Sequence, residues 1–268
     1  TSLHNLVVGA EEAASWIQHG MTLGLSGFTR AGDAKAVPLA LVERAEHESF
    51  KVNIFTGASL GSDIDKLLSE AGIVHKRLPF QADASMRKHI NAGDHLFVDQ
   101  HLSHTSELIR SGVLPVIDFA IVEAISITAD GMIIPTTSVG NSTTFISQAK
   151  NIIIEINVEH SELLEGLHDI YEPAAQGSRL PIPLTSVDDR IGQIGIPFDA
   201  SKVKGIVFTN SSDSPSPIVP PDDETEEMAQ HLITFLRQEV SAGRLTNKLA
   251  PLQSGIGSVA NAVLGGMI

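Results

Sequence analysis

Short aliphatic runs recur along the chain, separated by stretches in which apolar positions return every three or four residues. Residues 21–25, 52–56, 96–99, 119–127, 152–156 and 203–209 read as strands, several of them apolar on both faces. Residues 35–46, 62–71, 85–91, 103–111 and 143–150 read as helices between them. This alternation predicts an α/β fold, a largely parallel sheet covered by helices on both sides.

Residues 157–200 break the rhythm, with Pro173, Pro181, Pro183 and Pro197 separating short segments that read as an excursion from the sheet rather than a domain. A second proline-rich stretch, 211–221, precedes the clearest helix, expected over 223–242. Asp223 and Glu226 are spaced as a capping-box variant, and Gly243 stands where a left-handed C-cap belongs. Leu232, Phe235, Leu236 and Val240 form its apolar stripe, expected to pack on a core.

With 268 residues, 42% of them hydrophobic, the chain can bury a sizeable core as one large domain or as one with a smaller appendage. A net charge of -14 with no compensating basic run disfavours nucleic-acid binding. No apolar stretch approaches the roughly 20 residues of a membrane span, and the first residues lack a signal-peptide pattern. Zero cysteines excludes disulfides, a thiolate nucleophile and Cys-ligated metals. That usage fits a reducing compartment, so a cytoplasmic location is expected, or a mitochondrial one after removal of a transit sequence.

The segment PLQSGIGSVANAVLGGMI places Gly255 and Gly257 directly before a helix expected to start near Val259, so that loop amides face the positive end of the helix. Such amides suit an anion, and a developing thioester oxyanion is one they can stabilise without a cationic side chain. The same spacing fits a loose dinucleotide fingerprint, but LAPLQS is a poor strand and the sequence ends before the position, about twenty residues on, where an acidic ribose ligand would stand. A purely structural turn-to-helix junction fits the glycines as well.

Six segments stand in order: SGFTRAG at 26–32, TGASLG at 56–61, INAGD at 90–94, PTTSVGNS at 135–142, EGLHDIY at 165–171 and PLQSGIG at 251–257. Together they resemble the acetyl-CoA hydrolase/transferase family over nearly the whole chain, the succinyl-CoA:acetate CoA-transferases among its members. The resemblance implies an amino-terminal CoA-transferase-like domain and CoA transfer between carboxylates through a glutamyl-CoA thioester. It also implies CoA contacts from Gln253, Ser254, Gly255, Ile256 and Gly257, with the Ile256 amide in the oxyanion hole. The nucleophilic glutamate is expected beyond Ile268, in a carboxy-terminal domain or partner chain, so the isolated chain is expected to be inactive. Coenzyme A enters as substrate rather than as a tightly bound cofactor, and the complete enzyme is expected to be a homodimer. A Ser, a Thr and an Arg that contact the carboxylate in the succinyl-CoA:acetate branch align with Ser59, Ala82 and Ser214. Only Ser59 is retained, so the acceptor of that branch does not transfer.

Two other readings compete. Gly57-Ala58-Ser59-Leu60-Gly61 fits G-x-S-x-G, with His168 and Asp169 as partners, although too few strands precede it and the order of the partners is reversed for a serine hydrolase. Alternatively, the chain is a noncatalytic acyl-CoA or anion-binding module. His101 and His104 can share a helical face, but no third metal ligand follows with convincing spacing, so no metal is expected. Glu123 and Glu155, each inside an apolar strand, are candidates for raised-pKa acids or for hydrogen-bonded structural carboxylates. Arg30 and Lys35 flank the first glycine segment; they read as solvated surface charge, with attraction of CoA phosphates as the functional alternative.

Overall fold

The computed structural model describes residues 3–61, 63–215, 217, 219–249, 252–255 and 257–267. The chain forms two compact units: residues 1–183 with 190–215, and residues 184–189 with 216–268.

The first unit holds a nine-stranded sheet. Its strands are β1 (Thr22–Leu25), β2 (Val52–Phe55), β3 (Val74–Leu78), β4 (Leu96–Phe97), β5 (Phe119–Ile127), β6 (Met132–Pro135), β7 (Asn151–Asn157), β8 (Ile196–Pro197) and β9 (Val203–Thr209). β4-β3-β2-β1-β5 and β5-β7-β9 are parallel, as the alternating pattern requires. β5 changes partner along its length: Phe119 to Ala124 pair with β7, whereas Ala124 to Ile127 pair antiparallel with β6, which in turn pairs antiparallel with β8.

Both sheet faces are buried, and the period of two sorts each strand's residues between them. Leu23, Leu25, Ile121, Ile153 and Val207 join one core with helices α1 (Ala10–Ser15), α2 (Ala36–Arg44), α3 (Ile64–Glu70) and α4 (Ala84–Ala92). Ala120, Val122, Ile152, Ile154 and Ile156 join the other, with Ile109 of α5 (Thr105–Arg110) and Phe145 and Ile146 of α6 (Ser142–Gln148).

The apolar pattern did not announce β3, β6, β8 or α1. β3 has the sequence VHKRL, and its Arg77 is fully buried. Its Nε donates to Asp65 at 2.9 Å and its terminal nitrogens to Thr56 Oγ1 and the Leu78 and Ala58 carbonyls. A guanidinium with its donors met in this way can lie inside, and hydropathy alone cannot signal that.

The second unit contains α7 (Asp223–Ser241) and α8 (Ser258–Met267). The capping box of α7 lies one residue earlier than the spacing suggested: Asp222 accepts from the Thr225 amide at 2.8 Å and Thr225 Oγ1 from the Asp222 amide at 3.0 Å. Its expected stripe is corrected too. Leu232 and Phe235 are 43% and 53% exposed, and the buried positions are Thr225, Ala229 and Ile233, one step round the helix.

α2 begins without a side-chain cap of its own. Glu155, on β7, supplies it from across the fold: its two carboxylate oxygens accept from the amides of Lys35, Ala36 and Val37 at 2.7, 2.9 and 2.8 Å. Those are orphan donors of a helix first turn, and the helix dipole favours the negative charge there. Burial pushes the Glu155 pKa upward, against the pull of these amides. Glu155→Gln is expected to lower the unfolding free energy by about 2–4 kcal/mol in urea titrations, since bonds to a charged acceptor become neutral and one amide group faces donors. A change below about 0.5 kcal/mol would mean that the helix does not depend on this carboxylate.

Candidate functional site

Three loops leave the carboxyl ends of the central strands: 26–35 after β1, 56–61 after β2 and 136–141 after β6. In open parallel sheets this is the end where ligands bind. Backbone contact between the loops is close. A Cβ on Gly57 would run into the Gly27 carbonyl oxygen and lie 3.1 Å from the Gly140 Cα, and one on Gly140 would stand 2.7 Å from the same Gly27 oxygen. Asn141 Nδ2 donates to the Thr56 carbonyl at 3.0 Å, and Ser138 Oγ to the Ala31 carbonyl at 2.7 Å. The second loop is also held from below, where Arg77 binds the Ala58 carbonyl and Asp65 accepts from the Leu60 amide at 2.8 Å.

Beneath the first loop lies a buried charge network. Lys35, 1% exposed, gives its ammonium three acceptors: Glu123 Oε2 at 2.7 Å, Asp213 Oδ1 at 3.0 Å and the Asp33 carbonyl at 2.8 Å. This corrects the expectation of a solvated surface charge and removes Lys35 as a phosphate ligand. Burial favours the neutral amine, but the carboxylates of Asp33 and Glu123 outweigh it and hold the lysine pKa above its usual value. Glu123 also accepts from Thr136 Oγ1 at 2.7 Å and Asn157 Nδ2 at 2.9 Å. Asp213 accepts from the Gly32 amide at 3.1 Å and from Thr137 Oγ1. One cluster thus joins β5, β7, the loops after β1 and β6, and the segment after β9.

Glu123, His160 and Asp213 place ligand atoms within 4.8 Å of one another, the one metal-capable grouping among the described residues. His160 Nε2 stands 3.6 Å from Glu123 and 3.8 Å from Asp213 with no hydrogen-bond partner. The other edges of both carboxylates already hold Lys35. His101 and His104, the pair marked in the sequence, do not share an α-helical face: His101 precedes a short 3-10 turn and binds Ser103.

Ser59 is buried in the second loop; its Oγ accepts from the Ala82 amide at 3.0 Å and its carbonyl from the Arg30 amide at 3.0 Å. His168 and Asp169 form no relay with it. The His168 Nε2 proton goes to the Thr136 carbonyl at 2.8 Å, and Asp169 accepts from the amides of Ile191 and Gly192. Glu123 and Glu155 are both hydrogen-bonded structural carboxylates, the one paired with Lys35 and the other capping α2, and burial also raises the Glu155 pKa, as its place inside an apolar strand suggested.

The 253–257 loop lies in the second unit. Gln253, Ser254 and Gly255 are exposed and irregular, so among the described residues no strand precedes the glycines as a dinucleotide site requires. α8 starts directly after Gly257, and no atom lies within 4 Å of where a Cβ would stand on Gly255 or Gly257, leaving the backbone open to approach. The loop borders an apolar groove of about 670 Å³ lined by Leu232, Leu236, Leu252, Val263 and Leu264. Ile256, assigned the oxyanion amide, lies outside the described residues.

Residues 3–213 match the model of the acetyl-CoA hydrolase/transferase N-terminal domain, a span that accounts for nearly all of the first unit. The chain belongs to this family. It is 43% identical over 267 residues to a succinyl-CoA:acetate CoA-transferase of Clostridium kluyveri, covering 99% of this chain and 50% of the relative. It is 39% identical to an acetyl-CoA hydrolase of Saccharomyces cerevisiae, covering 96% of this chain and 51% of that protein. The chain therefore spans about half the length of these relatives. Among solved structures, RipA from Yersinia pestis shares the fold, with a TM-score of 0.67 at 18% identity over 99% of this chain and 55% of that one.

Sequence reasoning missed Asp33, Asp213 and Arg77, and took Lys35 for surface. Asp33 is wholly buried with both carboxylate oxygens unpartnered. Desolvation raises its pKa to about 6; Lys35 opposes the rise, while Glu123 and Asp213 reinforce it. The folded pKa exceeds the ordinary 3.8, so the native state holds this proton more tightly. Stability from Asp33 is full below the ordinary value and is lost as pH rises through about 6. Asp33→Asn is expected to flatten the stability profile across that window and to raise stability at pH 8 by roughly 1–3 kcal/mol, read from urea unfolding at a series of pH values. An unchanged slope would show that Asp33 ionises without cost.

Proposed function

We propose that this chain is the amino-terminal part of an enzyme that transfers CoA between small carboxylates, with hydrolysis as the case in which water replaces the acceptor. The observation that carries the reading is the convergence of three glycine loops at the carboxyl ends of the strands in a member of the acetyl-CoA hydrolase/transferase family. In this reading an enzyme glutamate attacks the acyl-CoA carbonyl and displaces the CoA thiolate. The thiolate attacks the glutamyl carbonyl of the resulting anhydride, releasing the first carboxylate and leaving a glutamyl-CoA thioester. An acceptor carboxylate then takes the CoA by the same two steps in reverse and frees the glutamate. The two buried glutamates beneath the loops are already committed, Glu123 to Lys35 and Glu155 to the amides of α2. The nucleophile is expected, as the family resemblance implies, in the half of the protein that the relatives have and this chain does not span. In this reading the amides around Gly255 and Gly257 hold CoA and the developing oxyanion. The complete enzyme is taken to be a cytoplasmic homodimer.

The serine-hydrolase reading is disfavoured because Ser59 lacks an imidazole partner among the described residues. A noncatalytic anion-binding module remains the alternative. The full-length protein, mixed with acetyl-CoA and then borohydride and analysed by peptide mass spectrometry, is expected to show a modified glutamate beyond residue 268. An adduct on Ser59, or no adduct alongside tight acetyl-CoA binding, would overturn the proposal. Ser59→Ala is expected to leave thioester formation intact and to raise the acceptor KM about 3–10-fold, as loss of one hydrogen bond allows.

A further inference from the structure

The tip of the first glycine loop is a two-residue turn. Phe28 and Ala31 bond to each other's backbone at 3.0 and 3.2 Å, and the residues between them, Thr29 and Arg30, have φ of 50° and 67°. Positive φ at both central positions is the habit of Asn-Gly turns, and for a β-branched threonine and an arginine it is a strained conformation. Strain of this kind persists where the surroundings impose it. Here the Arg30 amide donates to the Ser59 carbonyl at 3.0 Å, and the Arg30 carbonyl packs against Gly61, where a Cβ would stand 3.0 Å away. Residue 30 is thereby locked to the Ser59 loop from two sides.

Among the described residues the Arg30 guanidinium makes no hydrogen bond or ion pair, and its Nε is buried and unsatisfied. Glu123 and Asp213 are taken by Lys35, and the Asp33 oxygens, three residues along the chain, are also unpartnered among the described residues. A guanidinium is permanently charged and carries five donors, so a half-buried one without acceptors is a group awaiting an anion. Ser59 adds to it. Its Oγ already accepts from Ala82, which leaves the hydroxyl proton to donate.

We infer that Arg30 is the cation that receives the substrate carboxylate, beside the Ser59 that the family resemblance already gives to it; this rests on the CoA-transfer reading. A planar carboxylate matches the guanidinium fork, and bonds to a charged group contribute enough to set acceptor affinity. The same cation suits a CoA phosphate, and the test separates the two.

The experiment uses the full-length protein and two variants, Arg30→Gly, which relieves the positive φ, and Arg30→Lys. Arg30→Gly is expected to raise the KM for the carboxylate acceptor at least about ten-fold with the acetyl-CoA KM within about two-fold, and added guanidinium ion to restore part of the loss. Arg30→Lys is expected to fall between. A carboxylate KM within about two-fold of the parent, or a rise confined to acetyl-CoA, overturns the assignment; the latter gives Arg30 to the phosphates. If the parent protein transfers no CoA, the functional reading fails by itself. Line broadening of ¹³C-acetate then decides the site: broadening by the parent and not by Arg30→Gly supports it, and equal broadening overturns it.

Discussion

The arrangement depends on one buried ammonium. Lys35 sits where the first glycine loop turns into α2, and its three protons meet Glu123, Asp213 and the Asp33 carbonyl. Sequestering a lysine this deeply is costly unless every donor is met, and leaving one partner unpaired typically costs about 3–5 kcal/mol. The loop therefore has little freedom to leave: moving it would strand charges on β5 and after β9. From the amide of Lys35 itself to that of Val37, the start of α2 rests on Glu155 of β7, so loop and helix are pinned to adjacent strands by neighbouring carboxylates.

Upon that base the glycines allow backbone to meet backbone. Gly27, Gly57 and Gly140 come from three separate loops and touch, which fixes the relative positions of Arg30, Ser59 and the 136–141 segment. Rigid elements below and close loops above are the conditions under which a strained turn can hold a charged side chain that has no partner among the described residues. The first unit thus offers an anion a preorganised cation and hydroxyl, while the second offers exposed glycine amides beside an apolar groove.

Much of the fold was legible because burial on both sheet faces writes itself as aliphatic runs. β2, β5, β7 and β9 were visible as such runs, and the helices between them as periodic stretches. What hydropathy concealed were the charged residues that go inside. Arg77 reads as surface in VHKRL, Lys35 as a flanking cation, and Asp213 as one polar residue in SSDSPSP; their partners lie 12, 88 and 178 positions away. The acid pair in the strands gave a usable signal, since Glu123 and Glu155 interrupt otherwise apolar runs. Motif order located the glycine loops, yet it could not reveal that Thr29 and Arg30 adopt a turn suited to Asn-Gly.

The most direct test of this account is amide hydrogen exchange in a Lys35→Met variant, which keeps the side-chain length and removes the charge. The account predicts exchange at Arg30 and Gly32 faster by at least about 100-fold, as their anchors on Ser59 and Asp213 loosen, while the β5 and β7 amides stay protected. Loop amides as protected as in the parent would contradict it, because the glycine loops would then hold their geometry without the buried ammonium.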